Sequence, residues 1–595
     1  MTPCRRGRKA VWQSGSLAVW QSGSLAVWQL PRAMISPRKQ VRKSNGDDPA
    51  AQGIAAHFTM DVNRESKPPP SCFPPDGHSD IFPQMLAKVF SAAVFGVEAY
   101  DLEVEVSDDG GQKDAIVIVG LPDAAVREAR DRVKTAISNS GFRWPGGHVT
   151  VNLAPADVKK EGPSFDLPIA LAMIACAQDV KLDHAADFCF VGELALDGAV
   201  RPVRGVLSVA IEARRVGRKK LVVPLQNARE AAMVSGIDVF GVRNLREAFT
   251  FLTGENPLAP MREDLAAFFA SHSDYDVDFA DVRGQNHVKR AIEIAAAGGH
   301  GLLLIGPPGS GKSMLSKRVP SILPPMTMEE AIETTKIHSI CGLLLDKSFV
   351  ATRPFRAPHH TVSDAGLLGG GMNPSPGEIS IAHHGVLFLD ELPEFKRSTL
   401  EVLRQPMEDG RVTVSRAAGT MTFPAEFMLV AAMNPCPCGF HGDPKRQCRC
   451  TPQQVEKYRE RISGPLLDRI DLHVEAPAVA FDELRSTERA EPSAAIRERV
   501  VRVREKQRVR FGAGSKVRIN CRMSSQQVRK FCALSTDAEN LLRMAMENLN
   551  LSARAHDRIL KTARTIADLA DSEDIAPDHI AEAIQYRTLD RKLWR

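Results

Sequence analysis

The apolar run Leu302-Leu303-Leu304-Ile305, emptying into Gly306-Pro307-Pro308-Gly309-Ser310-Gly311-Lys312-Ser313, restricts the possible folds of this chain more than any other feature. A strand followed by G-x-x-x-x-G-K-S is a phosphate cradle. Its glycines let backbone N–H groups close around phosphate oxygens at a helix N-terminus. In such a cradle Lys312 reaches the β- and γ-phosphates and the Ser313 hydroxyl sits on Mg²⁺. The expected setting is an open parallel α/β sheet, and the expected ligand is a nucleoside triphosphate bound by residues 306–313.

A second element supports the first. Gly385-Val386-Leu387-Phe388-Leu389-Asp390-Glu391 reads as a buried strand that delivers two carboxylates to its C-terminal edge, where ligands bind in open α/β sheets. Asp390 is expected to hold Mg²⁺, directly or through water, and Glu391 to orient and deprotonate the attacking water. Met428-Leu429-Val430-Ala431-Ala432-Met433-Asn434 is a third strand, ending in an amide.

The 595 residues should form several domains, about four by length alone. With 43% hydrophobic and 25% charged residues the composition is that of soluble globular proteins. No run of apolar residues is long enough to predict a membrane span. A net charge of +5 neither requires nor excludes nucleic-acid binding, so a basic surface has to be sought locally. The basic N-terminus leads into a polar repeat rather than an apolar core, which is not a secretory signal, so a reducing cytoplasmic location is expected. There, clustered cysteines indicate metal more often than disulfide.

Four of the eleven cysteines form two C-x-C pairs, Cys436/Cys438 and Cys448/Cys450. Four thiolates suit tetrahedral Zn²⁺; an iron–sulfur cluster and free thiols are the alternatives. The enclosed loop 440–447 carries Lys445 and Arg446, with Arg449 nearby, and is a candidate DNA contact.

Five stretches differ in character. In residues 1–84, Ala10–Leu17 recurs at Ala18–Leu25 and begins again at Ala26, followed by Pro-, Ser- and Lys-rich sequence. This predicts a disordered low-complexity extension, with translation expected to begin near Met85. Residues 85–252 predict an α+β domain. Its strands are expected at 102–106, 115–119, 149–153, 188–196, 199–203 and 220–224, with helices at 124–138 and 166–176. Residues 253–275, with Pro257 and Pro260, predict a linker, 276–480 the nucleotide-binding domain, and 481–595 a helical lid.

Several segments resemble known families. Glu161-Gly162-Pro163-Ser164, the helix after it and Gly192-Glu193-Leu194 resemble the proteolytic domain of Lon proteases, a ribosomal S5-type fold that uses a Ser–Lys dyad. Ser164 falls at the nucleophile's position, but Gly205-Val206-Leu207-Ser208-Val209 contains no lysine. A serine without a positioned base is a poor nucleophile, so this domain is expected to be inactive. The strand ending at Asn434 resembles sensor 1 of AAA+ ATPases, which holds the lytic water or γ-phosphate. Gly464-Pro465-Leu466-Leu467-Asp468-Arg469-Ile470-Asp471 resembles their arginine-finger segment, with Arg469 acting on a neighbouring subunit's ATP. The alternative for Arg469 is a surface pair with Asp471. Ser552-Ala553-Arg554 resembles sensor 2, with Arg554 as the γ-phosphate contact and Arg558 as its rival. A finger acting in trans implies a ring, most simply a hexamer.

Phe355-Arg356-Ala357-Pro358-His359-His360-Thr361 and Gly377-Glu378-Ile379-Ser380-Ile381-Ala382-His383-His384-Gly385 resemble the insert of magnesium-chelatase-type AAA+ proteins. Their adjacent histidines are expected to pack and hydrogen-bond rather than share a metal. With Asp281-Val282-Arg283-Gly284-Gln285 and Asn434-Pro435-Cys436-Pro437-Cys438-Gly439 added, the chain resembles the YifB/ComM family of magnesium-chelatase-like ATPases from about Met85 onward. The resemblance implies a hexameric ATP- and Mg²⁺-dependent motor that drives branch migration of DNA in recombination, including integration of transforming DNA, with sequence-neutral DNA contact and no membrane partner. The hairpin expected over Val412–Thr422 would carry Arg416 to the phosphate backbone, or serve subunit packing. The arginine-rich segment Arg497–Arg510 is a solvated face or a further DNA contact. Competing functions are a magnesium-chelatase ATPase subunit, an ATP-driven protein remodeller, and a Lon-type protease, the last opposed by the missing lysine.

Overall fold

The computed structural model describes residues 85–108, 115–156, 160–263, 269, 274–344, 349–371, 374–416, 419–443, 446–479, 490–512 and 514–589. The expected extension 1–84 and Lys445 lie outside the described residues.

Alternating apolar and charged residues build the first sheet. β1 (Met85–Phe95) and β2 (Glu98–Asp108) pair antiparallel along their full lengths. Leu102, Val104 and Val106 face the core, while Glu103 and Glu105 on the other face each meet Lys88 at 2.7 Å. β3 (Ala115–Val119) runs parallel to β4 (His148–Ala154), giving the order β1-β2-β4-β3. The helix Asp166–Ala177 is buried from Asp166 to Cys176, as a helix apolar on every side must be.

The strand expected over 188–196 is two strands in two sheets. β5 (Phe188–Phe190) joins a parallel sheet, and β6 (Glu193–Leu194) forms a ribbon with β7 (Val200–Arg201) around Asp197-Gly198. The chain changes sheets at Gly192, where a Cβ would lie 2.8 Å from Val200 and 3.2 Å from Leu167. β8 (Lys220–Pro224) and β9 (Asp238–Val242) complete the parallel sheet in the order β5-β8-β9.

The stretch expected as a linker packs against its neighbours where it is described. Met261 N–H donates to Val239 O at 2.7 Å, Glu263 pairs with Arg229 at 3.1 Å, and the Phe269 ring meets Phe349 edge-on at 5.6 Å.

The region expected to bind nucleotide is built on one parallel sheet. Its strands are β10 (Leu302–Ile305), β11 (Phe355–Arg356), β14 (Val386–Leu389), β17 (Met428–Met433) and β18 (Leu472–Glu475), in the order β11-β14-β17-β10-β18. Between them the chain makes two antiparallel pairs, β12 (Gly369–Gly370) with β13 (Ser375–Pro376) and β15 (Arg411–Arg416) with β16 (Gly419–Pro424). Every residue of β10, β14 and β17 is buried, which is why these strands read as unbroken apolar runs.

C-terminal helices share the core of this sheet. Ile496 and Val500 of the helix Ser493–Phe511, and Ile559 and Ala563 of the helix Ala553–Leu569, pack in one cluster with Leu302, Leu304, Phe388 and Val430. The front sheets are joined to the rest through an insert helix, Met328–Ile340, opened by a Thr327/Glu330 capping box. Met326, Ala331 and Phe349 pack with Ala92, Val206, Leu207 and Val209. Among the described residues no helix is long and apolar enough to cross a membrane.

Candidate functional site

Three adjacent strand ends meet at the phosphate loop. β10 runs into the loop and then the helix Lys312–Ile322, and Gly306 N–H donates to Met433 O at the end of β17. A Cβ on Gly306 would sit 2.0 Å from Ala476 O, so only glycine lets the loop leave the sheet here. Gly311, at φ +83°, supplies the left-handed turn into the helix.

The side chains converge as the sequence predicts. Lys312 Nζ donates to Gly306 O (2.8 Å), Pro307 O (2.9 Å) and Asn434 Oδ1 (3.2 Å). Burial lowers its pKa, opposed by the charges of Asp390 and Glu391. Ser313 Oγ donates to Asp390 Oδ2 at 2.5 Å. That hydroxyl and carboxylate are an oxygen pair of the kind Mg²⁺ takes beside a triphosphate. Glu391 sits just past β14 with φ +52°, a left-handed conformation that costs a non-glycine residue about 1–3 kcal/mol and clusters at functional sites. Its side chain is 56% exposed at the mouth of the site.

Three neighbours were not legible in the sequence as parts of this site. Gln285 Nε2, itself buried, donates to Ser310 O (2.9 Å) and Pro477 O (2.7 Å), fixing the back of the phosphate loop. His360 Nδ1 lies 3.6 Å from the Glu391 carboxylate. The Tyr458 hydroxyl, pushed up to about 12 mainly by burial, takes a backbone hydrogen bond from Asn434. Their only sequence signal was membership of motifs noted for other reasons, or none.

Arg469 and Arg554 make no contact with the phosphate loop among the described residues. Arg469 Nη2 pairs with Glu408 at 2.6 Å and Nη1 donates to Pro465 O at 2.7 Å, lining a cleft with Leu368, Arg404 and Thr413. The Arg469–Asp471 pair is not formed. Asp471 instead binds Arg558 and, at 3.0 Å, His300. Arg558 is thereby committed to the fold, whereas Arg554 is exposed and makes no ion pair among the described residues.

The histidine pairs do hydrogen-bonding work. His383 and His384 both place Nε2 on Glu333 Oε2, at 3.3 and 3.0 Å, and hold that carboxyl well below the usual range. His383 Nδ1 accepts from Glu426 N–H at 3.0 Å, so a neutral ring carries its proton on Nε2 and offers no lone pair there to a metal.

The four cysteines do gather. Cys436 Sγ lies 3.4 Å from Cys438 Sγ and 3.7 Å from Cys448 Sγ, with Cys438 and Cys448 3.6 Å apart; all four sulfurs fall within 4.8 Å of one another. Zn–S bonds of about 2.3 Å in a tetrahedron put sulfurs about 3.8 Å apart, so the donor set fits a single ion. Several irons interposed would hold the sulfurs farther apart. Backbone hydrogen bonds from Arg449 and Phe440 bring the Cys438 thiol down to about 6. Arg446 lies over the Phe440 ring at 5.1 Å.

Of the expected DNA contacts, the hairpin β15–β16 is present, with Arg411 at its base and Arg416 near its tip both exposed. One face, with Val412, Val414, Met421 and Phe423, packs in a cluster with Phe95 and Val97 of the β1–β2 turn, and Arg416 extends that face toward the tip. The arginine-rich helix engages several of its cations within the chain. Arg499 pairs with Glu293 and Glu491, Lys506 with Asp571, Arg510 with Asp568, and Arg504 donates to Ala296 O. Arg502 and Arg508 stay more than half exposed on it.

Residues 278–484 match the family described as "Magnesium chelatase, subunit ChlI", residues 103–227 "Subunit ChlI of Mg-chelatase" and residues 490–587 "Magnesium chelatase, subunit ChlI C-terminal". The competence protein ComM of Haemophilus influenzae is 44% identical over 513 residues, covering 85% of this chain and 98% of that protein. The chain belongs to the YifB/ComM family of magnesium-chelatase-like ATPases. YifB of Escherichia coli, another member, is 43% identical over 510 residues, with 85% and 98% covered. Lon protease 2 of Bacillus subtilis is 24% identical over 172 residues, 26% of this chain and 31% of that protein. Val206, Leu207 and Val209, in the stretch after Gly205 where a Lon-type lysine is expected, are buried in the cluster shared with the insert helix. The mixed α/β architecture with its parallel sheet is that of an AAA+ protein.

Proposed function

We propose that this protein is an ATP-hydrolysing ring motor that promotes branch migration of DNA during natural transformation. The observation that carries the ATPase reading is the convergence of Lys312, Ser313, Asp390 and Asn434 from three adjacent parallel strands. Residues 306–313 would cradle the triphosphate and Lys312 would balance γ-phosphate charge. Ser313 and Asp390 would hold Mg²⁺, which neutralises charge on the phosphate oxygens when bound. Glu391 takes the proton of the attacking water, Asn434 orients that water, and Arg469 of a neighbouring copy completes the site. Arg554 is assigned to the γ-phosphate of its own copy. The cysteine cluster is assigned one structural Zn²⁺.

The DNA half of the reading draws support from a relative named for competence and from the two exposed arginines of the hairpin, Arg411 and Arg416. Contact there would be with phosphates, hence sequence-neutral and salt-sensitive. The test is ATP turnover with and without a four-way DNA junction, alongside migration of that junction, with Glu391→Gln as control. The expected result is DNA-stimulated turnover and ATP-dependent migration, both reduced about 10²- to 10⁴-fold in the variant. Turnover indifferent to DNA, with no migration, would overturn the motor reading and leave a protein remodeller.

A further inference from the structure

The four-cysteine knuckle leans directly on the phosphate loop. β17 ends at Met433, whose carbonyl accepts from Gly306 N–H at 3.2 Å; the next residue, Asn434, accepts from Lys312. Two residues further, Cys436 opens a tight turn closed by Gly439 N–H on Cys436 O at 2.9 Å. At Gly439 the turn touches the loop a third time. A Cβ there would lie 2.5 Å from Cδ and 3.1 Å from Cγ of Pro308. Gly439 also has φ +84°, so both the conformation and the space demand glycine.

One end of the knuckle, Cys436–Gly439, is therefore part of the phosphate-loop wall. The other end, Cys448–Cys450, leads into the helix Pro452–Arg459, capped by a Thr451/Gln454 box. That helix carries Tyr458, on which the Asn434 backbone rests, and Arg459, which donates to Pro435 O at 3.3 Å. The cysteines link these two walls, and ionised sulfurs this close repel one another unless a cation lies between them.

We infer that a metal ion at Cys436, Cys438, Cys448 and Cys450 positions the phosphate loop through the Gly439–Pro308 contact, so that metal occupancy and nucleotide affinity are coupled. Gly439 is a positioning residue that acts through Pro308. Coupling of this kind is reciprocal: nucleotide tightens metal retention by the same factor as metal tightens nucleotide. The inference rests on the assignment of nucleotide to residues 306–313.

The test uses the full chain, purified under reducing conditions. Metal per chain is measured by mass spectrometry, and affinity for a fluorescent ATP analogue by titration. Cys450→Ser is expected to lose the metal and to bind the analogue about tenfold more weakly or worse. Gly439→Ala is expected to keep the metal and show a similar loss, since overpacking of this size costs about one to two factors of ten. Pro308→Ala removes the atoms in collision, so adding it to Gly439→Ala should recover most of the affinity. In wild type, a saturating analogue should raise the chelator concentration that extracts half the metal. Wild type without bound metal, unchanged affinity after metal loss, or no recovery in the double variant would overturn the coupling. Failure of metal-loaded wild type to bind the analogue would defeat the nucleotide assignment instead.

Discussion

Asp471 carries more than its place beside Arg469 suggested. Buried, it binds Arg558 and His300, and despite the cost of burial the Arg558 charge holds its carboxyl well below the usual 3.8. A carboxyl whose folded pKa is depressed contributes stability that is present above its unfolded pKa and is lost as pH falls through the folded value. Asp471→Asn should therefore destabilise the protein at pH 7 by about 3 kcal/mol, the low end for a broken buried pair because Arg558 is 23% exposed. The difference from wild type should shrink below about pH 4. Urea denaturation at pH 7 and pH 3.5 measures it; a constant difference would show that the charge plays no part. Arg469 differs, because its partner Glu408 is half-exposed, and action on a neighbouring copy's phosphate would exchange that ion pair for another.

At the scale of elements, the insert helix Met328–Ile340 joins the two halves of the chain. Ser339 Oγ accepts from Gly205 N–H at 2.9 Å and donates to the buried Glu230 carboxylate, which burial raises in pKa. Ser339→Ala leaves both partners short of a hydrogen bond and should cost about 1–3 kcal/mol, read as a lowered thermal midpoint. An unchanged midpoint would show that water replaces the hydroxyl. This junction marks the limit of what the sequence conveyed. β10, β14 and β17 were legible because burial on both faces leaves a continuous apolar run, and their functional ends because Lys312, Asp390 and Asn434 stand at strand termini. Gly192 hid a change of sheet, since nothing in a local window shows that Val200 and Leu167 crowd it. Gln285, His360 and Ser339 act across long sequence separations, so periodicity and spacing carried no trace of their partners.

At the scale of the whole molecule, the ring reading divides each hydrolytic site between two copies. Arg469→Ala and Glu391→Gln should each be nearly inactive alone. Mixed in equal amounts and allowed to exchange, they should regain up to about a quarter of wild-type turnover, the share of interfaces joining one intact Glu391 to one intact Arg469. No regain would place Arg469 outside a shared site. The insert helix and its flanks have a second consequence, which concerns synthesis. Ala92, Val206, Leu207 and Val209 are made early, yet their cover, Met326, Ala331 and Phe349, is made late. At ordinary translation rates the interval from Leu252 to Phe349 lasts about 5–20 s. Throughout it the nascent front domain holds an apolar face open to the cytosol, which makes it a client for ribosome-associated chaperones and any ribosome stall in that window an aggregation hazard.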